Sequence, residues 1–466
     1  MGFRLALLLA TVVSARAQQD FAAQFERIKA EATREQIYAL LYDLPKGGEL
    51  HHHGTLSAYA EEWLTAATDP AVLKGNEFYT RLRFSACGDS VEPFLRYHNI
   101  ARFQWRRLSD CAKAEYVALG SMNGEQRSQW LSAMRLDRPG EGRDEFFERV
   151  VLRLAALAKD PNVLLEVITR YVQRYAREGL RYLETQSNPL GAVDAEGNPM
   201  AGDEFVRLTK AMLERPEVKS SGVTLRFLFS VIRFNPETET LLDRAYAFVH
   251  NNRDLWVGVN MVGREDNDKG HALRFLDTFR KLRRKYPGVH LSIHGGEVDS
   301  PGREVRNTLL LGAERIGHGF NLISDPDTML LLRHGRNLVE TCLVSNRLLE
   351  YVNSFAQHPF PEYLRFGIPV ALSTDDAGVW DSNLTDEYFI AVRNFDLTWD
   401  EVARVGRNSI EHAFVEPAVK ARLLASYDAA IREFEVKYAG SDWQSKLNGV
   451  QPATSGYARR NFFGRE

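Results

Sequence analysis

The chain has 466 residues, 44% of them apolar and 26% charged, an ordinary mix for a folded enzyme-like protein. Its 59 basic and 62 acidic residues leave a net charge of −3, which argues against a general nucleic-acid or membrane-surface role. The length suits one large barrel with insertions, or two or three ordinary domains.

Taken in chain order, the first signal is Met1-Gly2-Phe3-Arg4, a single cation ahead of an apolar run from Leu5 to Val13 broken only by Thr11. Ala15-Arg16-Ala17 then has the small-x-small pattern that signal peptidase prefers. Residues 1–17 are expected to be a signal peptide rather than a buried N-terminal helix, which places the protein outside the cell or in a periplasm. The apolar run is too short to span a bilayer. Residues 18–48 are expected to be a helical segment, 49–440 the main domain with an insertion at about 55–143, and 441–466 a loosely ordered tail.

Short apolar strand candidates recur at Gly48–His53, Leu180–Thr185, Thr224–Val231, Trp256–Val262, His290–His294, Arg315–His318, Asn337–Thr341 and Pro369–Thr374. Amphipathic runs such as Leu164–Arg177, Glu239–His250, His271–Arg284 and Val305–Leu311 separate most of them. Strands apolar on both faces, alternating with helices, predict a parallel sheet covered by helices. About eight such units predict an α/β fold of the closed (β/α)₈ TIM-barrel kind. No Gly-x-Gly-x-x-Gly follows the first strand, which argues against dinucleotide binding.

Roughly 90 residues after the first strand exceed any ordinary βα loop. They carry helical patterns at Tyr59–Ala67 and Pro93–Arg107. An insertion at the C-terminal end of a barrel strand sits near the active site, so this one is read as a cap or a subunit contact, with homodimerisation as one option. Cys87 and Cys111 both lie in it, and export would permit a bridge between them. Cys342 lies in an apolar segment and is expected in the core.

The chemistry is concentrated at strand ends. His51 and His53, two residues apart, share one face of the first strand. His294 ends another strand, with Glu297 three residues on; His318 ends the next, and Asp375-Asp376 the last. In a barrel all these ends converge on one rim. Three imidazoles and a carboxylate suit Zn²⁺, so His51, His53, His294 and Asp375 are the expected ligands of one zinc ion per chain. A second metal would need a bridging ligand, commonly a modified lysine, and Val257–Gly263 offers none. Glu297 is expected to protonate a ring nitrogen while an activated water attacks the adjacent carbon. His318 is expected to orient or deprotonate that water, and Asp376 to hydrogen-bond the substrate.

These segments resemble the adenosine deaminase family of the amidohydrolase superfamily. The resemblance rests on Pro45-Lys46-Gly47-Gly48-Glu49-Leu50-His51-His52-His53, Val257–Asp266, His294-Gly295-Gly296-Glu297, Glu314–Gly319, Leu372–Asp376 and Asn408-Ser409-Ile410-Glu411, in family order. It implies hydrolytic attack on the C–N bond of a cyclic amidine: a 6-aminopurine nucleoside gives the 6-oxo product and ammonia. It further implies that the Gly263 backbone contacts the purine, Glu297 its N1 and Asp376 its N7. The signal sequence and the insertion resemble the secreted, growth-factor-like branch. Thr55 stands where cytosolic members place a ribose-binding aspartate and is the expected substrate contact at that position; Leu56 stands where glycine is common, and Ala377 where proline is usual.

The expected partner is a small purine nucleoside, with no nucleic acid and no membrane once the signal is removed. Adenine or a modified purine is the alternative substrate, and a secreted binding protein without catalysis the alternative class. The cytidine-type zinc deaminases use Cys-x-x-Cys, which this chain lacks. The basic run Arg280–Lys285 is read as a solvated helix end. His98, His250, His271, His334, His358 and His412 have no strand-end partners and are read as structural or surface residues.

Overall fold

A computed structural model describes residues 21–464 apart from 86, 88–91, 93, 266–268 and 300–301. The proposed signal peptide lies outside them. Eleven strands occur among the described residues: β1 (Gly47–Glu49), β2 (Phe78–Arg81), β3 (Asn99–Ala101), β4 (Tyr116–Ala118), β5 (Leu180–Ser187), β6 (Thr224–Ile232), β7 (Trp256–Val262), β8 (His290–Gly295), β9 (Arg315–His318), β10 (Leu338–Thr341) and β11 (Val370–Leu372). Eight of them form one parallel sheet in the order β1-β5-β6-β7-β8-β9-β10-β11. It is a nearly closed barrel, and the seam between β11 and β1 is drawn together by single contacts. The Asp375 N–H donates to the His51 carbonyl at 2.9 Å, and the His53 N–H to the Asp375 carbonyl at 3.1 Å. The buried Glu49 carboxyl spans the same seam, accepting the N–H groups of His51 at 3.0 Å and Thr374 at 2.9 Å.

Helices cover the barrel because their apolar stripes have nowhere else to go. Pro161–Arg177 begins where the Asp160 side chain caps the N–H groups of Asn162 and Val163 and Pro161 takes the first position. It buries Val163, Leu164, Val167, Ile168, Tyr171, Val172 and Tyr175, the three-and-four spacing of one helical face. Inside the barrel, Arg315 pairs with Glu184 and, at 2.6 Å, with Glu340, all buried. Pairing offsets most of the penalty of holding those charges away from water.

The insertion differs from its sequence reading. Its core is a small antiparallel sheet, β3-β2-β4, with Cys87 and Cys111 bridged beside it. The expected helix at Pro93–Arg107 is, where described, strand β3 followed by the short helix Arg102–Arg106. Asn99–Ala101 pair with Phe78–Thr80, a contact that local periodicity does not report. The sheet packs on helix Val151–Lys159 through Asn99, whose amide donates to the Arg153 carbonyl at 2.7 Å.

The expected loose tail is also corrected. Residues 441–464 form helices Trp443–Leu447 and Gly456–Asn461, with Trp443, Leu447 and Tyr457 buried. The Ser455 hydroxyl donates to Asp386 at 2.6 Å, and the Tyr457 N–H to the Asp381 carbonyl at 2.8 Å. A few large anchors in a polar stretch were enough to fix it. Among the described residues no helix is long and apolar enough to cross a membrane.

Candidate metal centre and active site

The strand ends deliver their side chains to one point. His51 Nε2 lies 3.1 Å from His294 Nε2, and His53 Nε2 lies 3.2 Å from the same atom. Asp375 Oδ1 stands 3.4 Å from His51 Nε2 and 3.0 Å from His53 Nε2. A tetrahedral ion with bonds of about 2.0–2.1 Å separates its ligands by roughly 3.3–3.4 Å, close to these distances. Asp375 Oδ1 and His318 Nε2 are buried without a hydrogen-bond partner, and the donors are imidazole nitrogens and a carboxylate oxygen. The set therefore fits a zinc-like cation. His318 brings a fifth donor, its ring within 4.8 Å of the ligand atoms of His51, His294 and Asp375.

Outer contacts hold three of the four expected ligands. His51 Nδ1 meets Glu340 at 2.7 Å, His294 Nδ1 meets the Asn260 carbonyl oxygen at 3.1 Å, and Ser345 donates to Asp375 Oδ2 at 2.7 Å. Such partners fix tautomer and orientation in metal sites. His318 and Asp375 both have φ of 58°, a left-handed conformation that turns their side chains off the strand ends, and it persists only where the surroundings enforce it.

A cavity of about 310 Å³ opens onto the cluster. Its polar wall includes Glu297, His318 and Asp376, and its apolar wall Phe146, Phe147, Ile232 and Phe234. Glu297 Oε2 lies 3.4 Å from His318 Nε2. Burial pushes the Glu297 carboxyl well above the usual carboxylate range, and the charges of Asp375 and Glu265 push it further. Burial and the adjacent Asp375 charge also raise Asp376, whose Oδ1 has no hydrogen-bond partner. Gly263, at φ 95°, presents bare backbone to the cavity; a Cβ there would lie 2.8 Å from Phe234.

Of the sequence-predicted residues, the structure brings together His51, His53, His294, Asp375, Glu297, His318, Asp376 and Gly263. Thr55 is the exception. The chain turns at Gly54, whose N–H donates to the Gln186 carbonyl, and Thr55 offers its own carbonyl to the Trp63 indole, so Leu56 lines the cavity in its place.

Three groups were not singled out from sequence. Segment 146–151 roofs the cavity from just beyond the expected insertion, while the described residues of the insertion proper supply only Leu56 to its wall. Glu340, Asn260 and Ser345 orient the ligands; a charged residue inside the apolar run of β10 was the available signal. Arg233 and Glu265 clamp the His294–Glu297 segment. Glu265 accepts the Glu297 N–H at 2.8 Å and the Gly296 N–H at 3.2 Å, and pairs with Arg233 at 3.1 Å. Arg233 in turn donates to the His294 carbonyl at 2.7 Å.

Barrel, metal-binding cluster and buried carboxyl together define a metal-dependent amidohydrolase. The chain belongs to the adenosine deaminase family, whose model, described as adenosine deaminase, matches residues 127–430, more than half of the sequence. It is 29% identical over 273 residues to a Bos taurus N6-methyl-AMP deaminase, covering 57% of this chain and 76% of that protein. It is 29% identical over 271 residues to a Serratia proteamaculans adenosine deaminase, covering 58% and 78%. A B. ambifaria amidohydrolase solved with bound zinc shares the fold at 19% identity and a TM-score of 0.62, over 86% of this chain and 94% of that one.

Proposed function

We propose that this enzyme is a secreted, zinc-dependent deaminase of 6-aminopurine nucleosides, with adenosine or a close relative as substrate. One observation carries the reading: imidazole nitrogens of His51, His53 and His294 and a carboxylate oxygen of Asp375 gather with neighbouring separations of 3.0–3.4 Å beneath a cavity whose wall holds the buried Glu297 carboxyl, pushed well above the usual carboxylate range by burial. His51, His53, His294 and Asp375 would hold the metal, which when bound lowers the pKa of water toward ~7 and polarises it for attack.

The chain's own groups do the rest. Glu297 gives its proton to the ring nitrogen beside C6, drawing electrons from that carbon as the amine prepares to leave. His318, against Glu297, orients the attacking water, accepts its proton and passes it to the amine, which leaves as ammonia while the C6 hydroxyl proton returns to Glu297. Asp376 faces the second ring nitrogen, and the bare Gly263 backbone admits the edge of the purine. The aromatic roof excludes water from a flat heterocycle. Glu148, in the cavity wall, takes the ribose role once expected of Thr55.

Nucleoside is favoured over nucleotide by the engagement of two arginines, of which Arg264 lies in the cavity wall and Arg143 outside it. Arg143 is engaged by Asp299 and lies over the Tyr351 ring, and Arg264 faces Asp144 at 3.9 Å and the Phe147 ring. Neither cation is left uncommitted for a 5′-phosphate. The Cys87–Cys111 bridge supports export and the secreted branch, because disulfides persist in oxidising compartments.

The test is an absorbance and ammonia-release assay on zinc-analysed protein with adenosine, deoxyadenosine, adenine, AMP and N6-methyl-AMP. Adenosine turnover is expected to exceed that of either nucleotide by at least about tenfold in kcat/KM. Zinc-loaded protein that turns over no purine would sink the reading. Glu297→Gln should keep metal and fold yet lose on the order of 10²-fold or more in kcat; near-normal turnover would remove Glu297 as the proton donor.

A further inference from the structure

A second cavity, of about 620 Å³, opens where the C-terminal segment meets the helices that follow β10 and β11. Four guanidinium groups from separate stretches of chain line it. They are Arg34 at the start of helix Arg34–Asp43, Arg138 in the loop ending the insertion, Arg347 on Leu343–Leu348 and Arg393 on Leu384–Phe395. Among the described residues Arg34, Arg347 and Arg393 have no carboxylate partner. Arg34 reaches only the Phe462 carbonyl, at 3.3 Å, and Arg138 donates to the Ser132 hydroxyl at 2.8 Å with Asp137 3.9 Å away.

Buried arginines such as Arg174, Arg233 and Arg315 are each set against an acid; here several guanidinium groups share one concavity without such a partner. Two carboxylates, Glu141 and Glu350, also line the cleft, but Glu141 is taken up by the N–H groups of Asp137 and Arg138, each at 3.0 Å. The cleft keeps a surplus of positive charge. Like charges gathered in one concavity repel and focus the field, so nothing in the packing of the fold calls for this arrangement.

We propose that this cleft binds a small phosphate-bearing anion, at a site separate from the metal-lined cavity. Guanidinium groups present forked donors that match phosphoryl oxygens in pairs. The volume exceeds what a bare phosphate needs and falls within the range of small-molecule sites. Phe355 and Tyr457 add apolar wall, which suits a ligand with a ring. The shared chemistry is the phosphoryl group, and its source is an inorganic polyphosphate or a nucleotide.

Calorimetric titration of the full chain with pyrophosphate and, separately, with ADP tests this, alongside an Arg347→Glu, Arg393→Glu double variant. Wild type is expected to bind in the micromolar to low millimolar range, more weakly as salt is raised. The double variant should lose at least about tenfold in affinity. If its melting temperature drops, Arg393→Glu alone, on an exposed position, should still weaken binding. Tighter binding of ADP than of pyrophosphate supports the site with a nucleotide as ligand, and equal affinities support it with an inorganic one. No binding by wild type up to about 5 mM overturns the proposal. So does equal binding by wild type and both variants, which would put the anion elsewhere on the molecule.

Discussion

Glu265 lies outside the cavity wall, yet the position of the proposed proton donor, Glu297, depends on it. Its two oxygens hold the N–H groups of Gly296 and Glu297, and Arg233 ties it to the His294 carbonyl. One buried carboxylate thus sets the distance between a ligand and the group that reaches the substrate. Glu265→Gln keeps the shape but can accept through only one oxygen, so one N–H loses its partner. We expect kcat to fall by about tenfold or more with KM and zinc content little changed. A rise in KM with unchanged kcat would mean that the clamp serves binding instead. Neither Arg233 nor Glu265 stood out in the sequence, because each lies in a loop and their partnership exists only across two strand ends. His51, His53, His294 and Asp375 were legible for the opposite reason: alternation along a strand and convergence at a barrel rim place them without further information.

At the scale of elements, the strands of the barrel were readable because both their faces are buried, which leaves an uninterrupted apolar run. The insertion was not, since β2, β3 and β4 are short and owe their existence to pairing with one another. Its disulfide closes a loop of 24 residues, and chain-entropy arithmetic gives such a link about 3 kcal/mol. The sheet touches helix Val151–Lys159, and none of its strand residues lines the cavity. A Cys87→Ser, Cys111→Ser variant should therefore melt several degrees lower while the protein still folded keeps its kcat. Loss of kcat with an unchanged melting temperature would place the insertion in the active site after all.

For the molecule as a whole, Lys46 makes stability depend on pH. It is fully buried at the foot of the barrel, where its ammonium donates to the carbonyls of Tyr42, Leu44 and Glu178. Burial lowers its pKa to about 7, opposed by the Glu178 charge. At this residue the unfolded chain therefore binds more protons between pH 7 and the ordinary lysine value, and the Lys46 contribution to stability rises across that window. Glu49 and Asp386, raised to about 7 by burial, and Glu387, raised well above the usual range, act in the other sense but are common to wild type and a Lys46 variant, so the comparison cancels them. Chemical unfolding at pH 7 and 9.5 should show wild type gaining on Lys46→Met by on the order of 3 kcal/mol. Parallel slopes in the two proteins would show that Lys46 does not titrate in this range.

The seam of the barrel has a consequence beyond architecture. His51 and His53 stand on its first side and Asp375 on its last, so an ion held by all three works as a clasp on the place where the cylinder is closed by the fewest bonds. Removing metal with a chelator should then speed amide exchange at His53 and Asp375 and lower the melting temperature; lost activity with an unmoved seam would separate the two. By mass action, stabilisation grows with the logarithm of free ion over its dissociation constant. The supply of one trace element would then govern how long each molecule lasts as well as how fast it works, and scarcity would clear the protein instead of leaving an idle population behind.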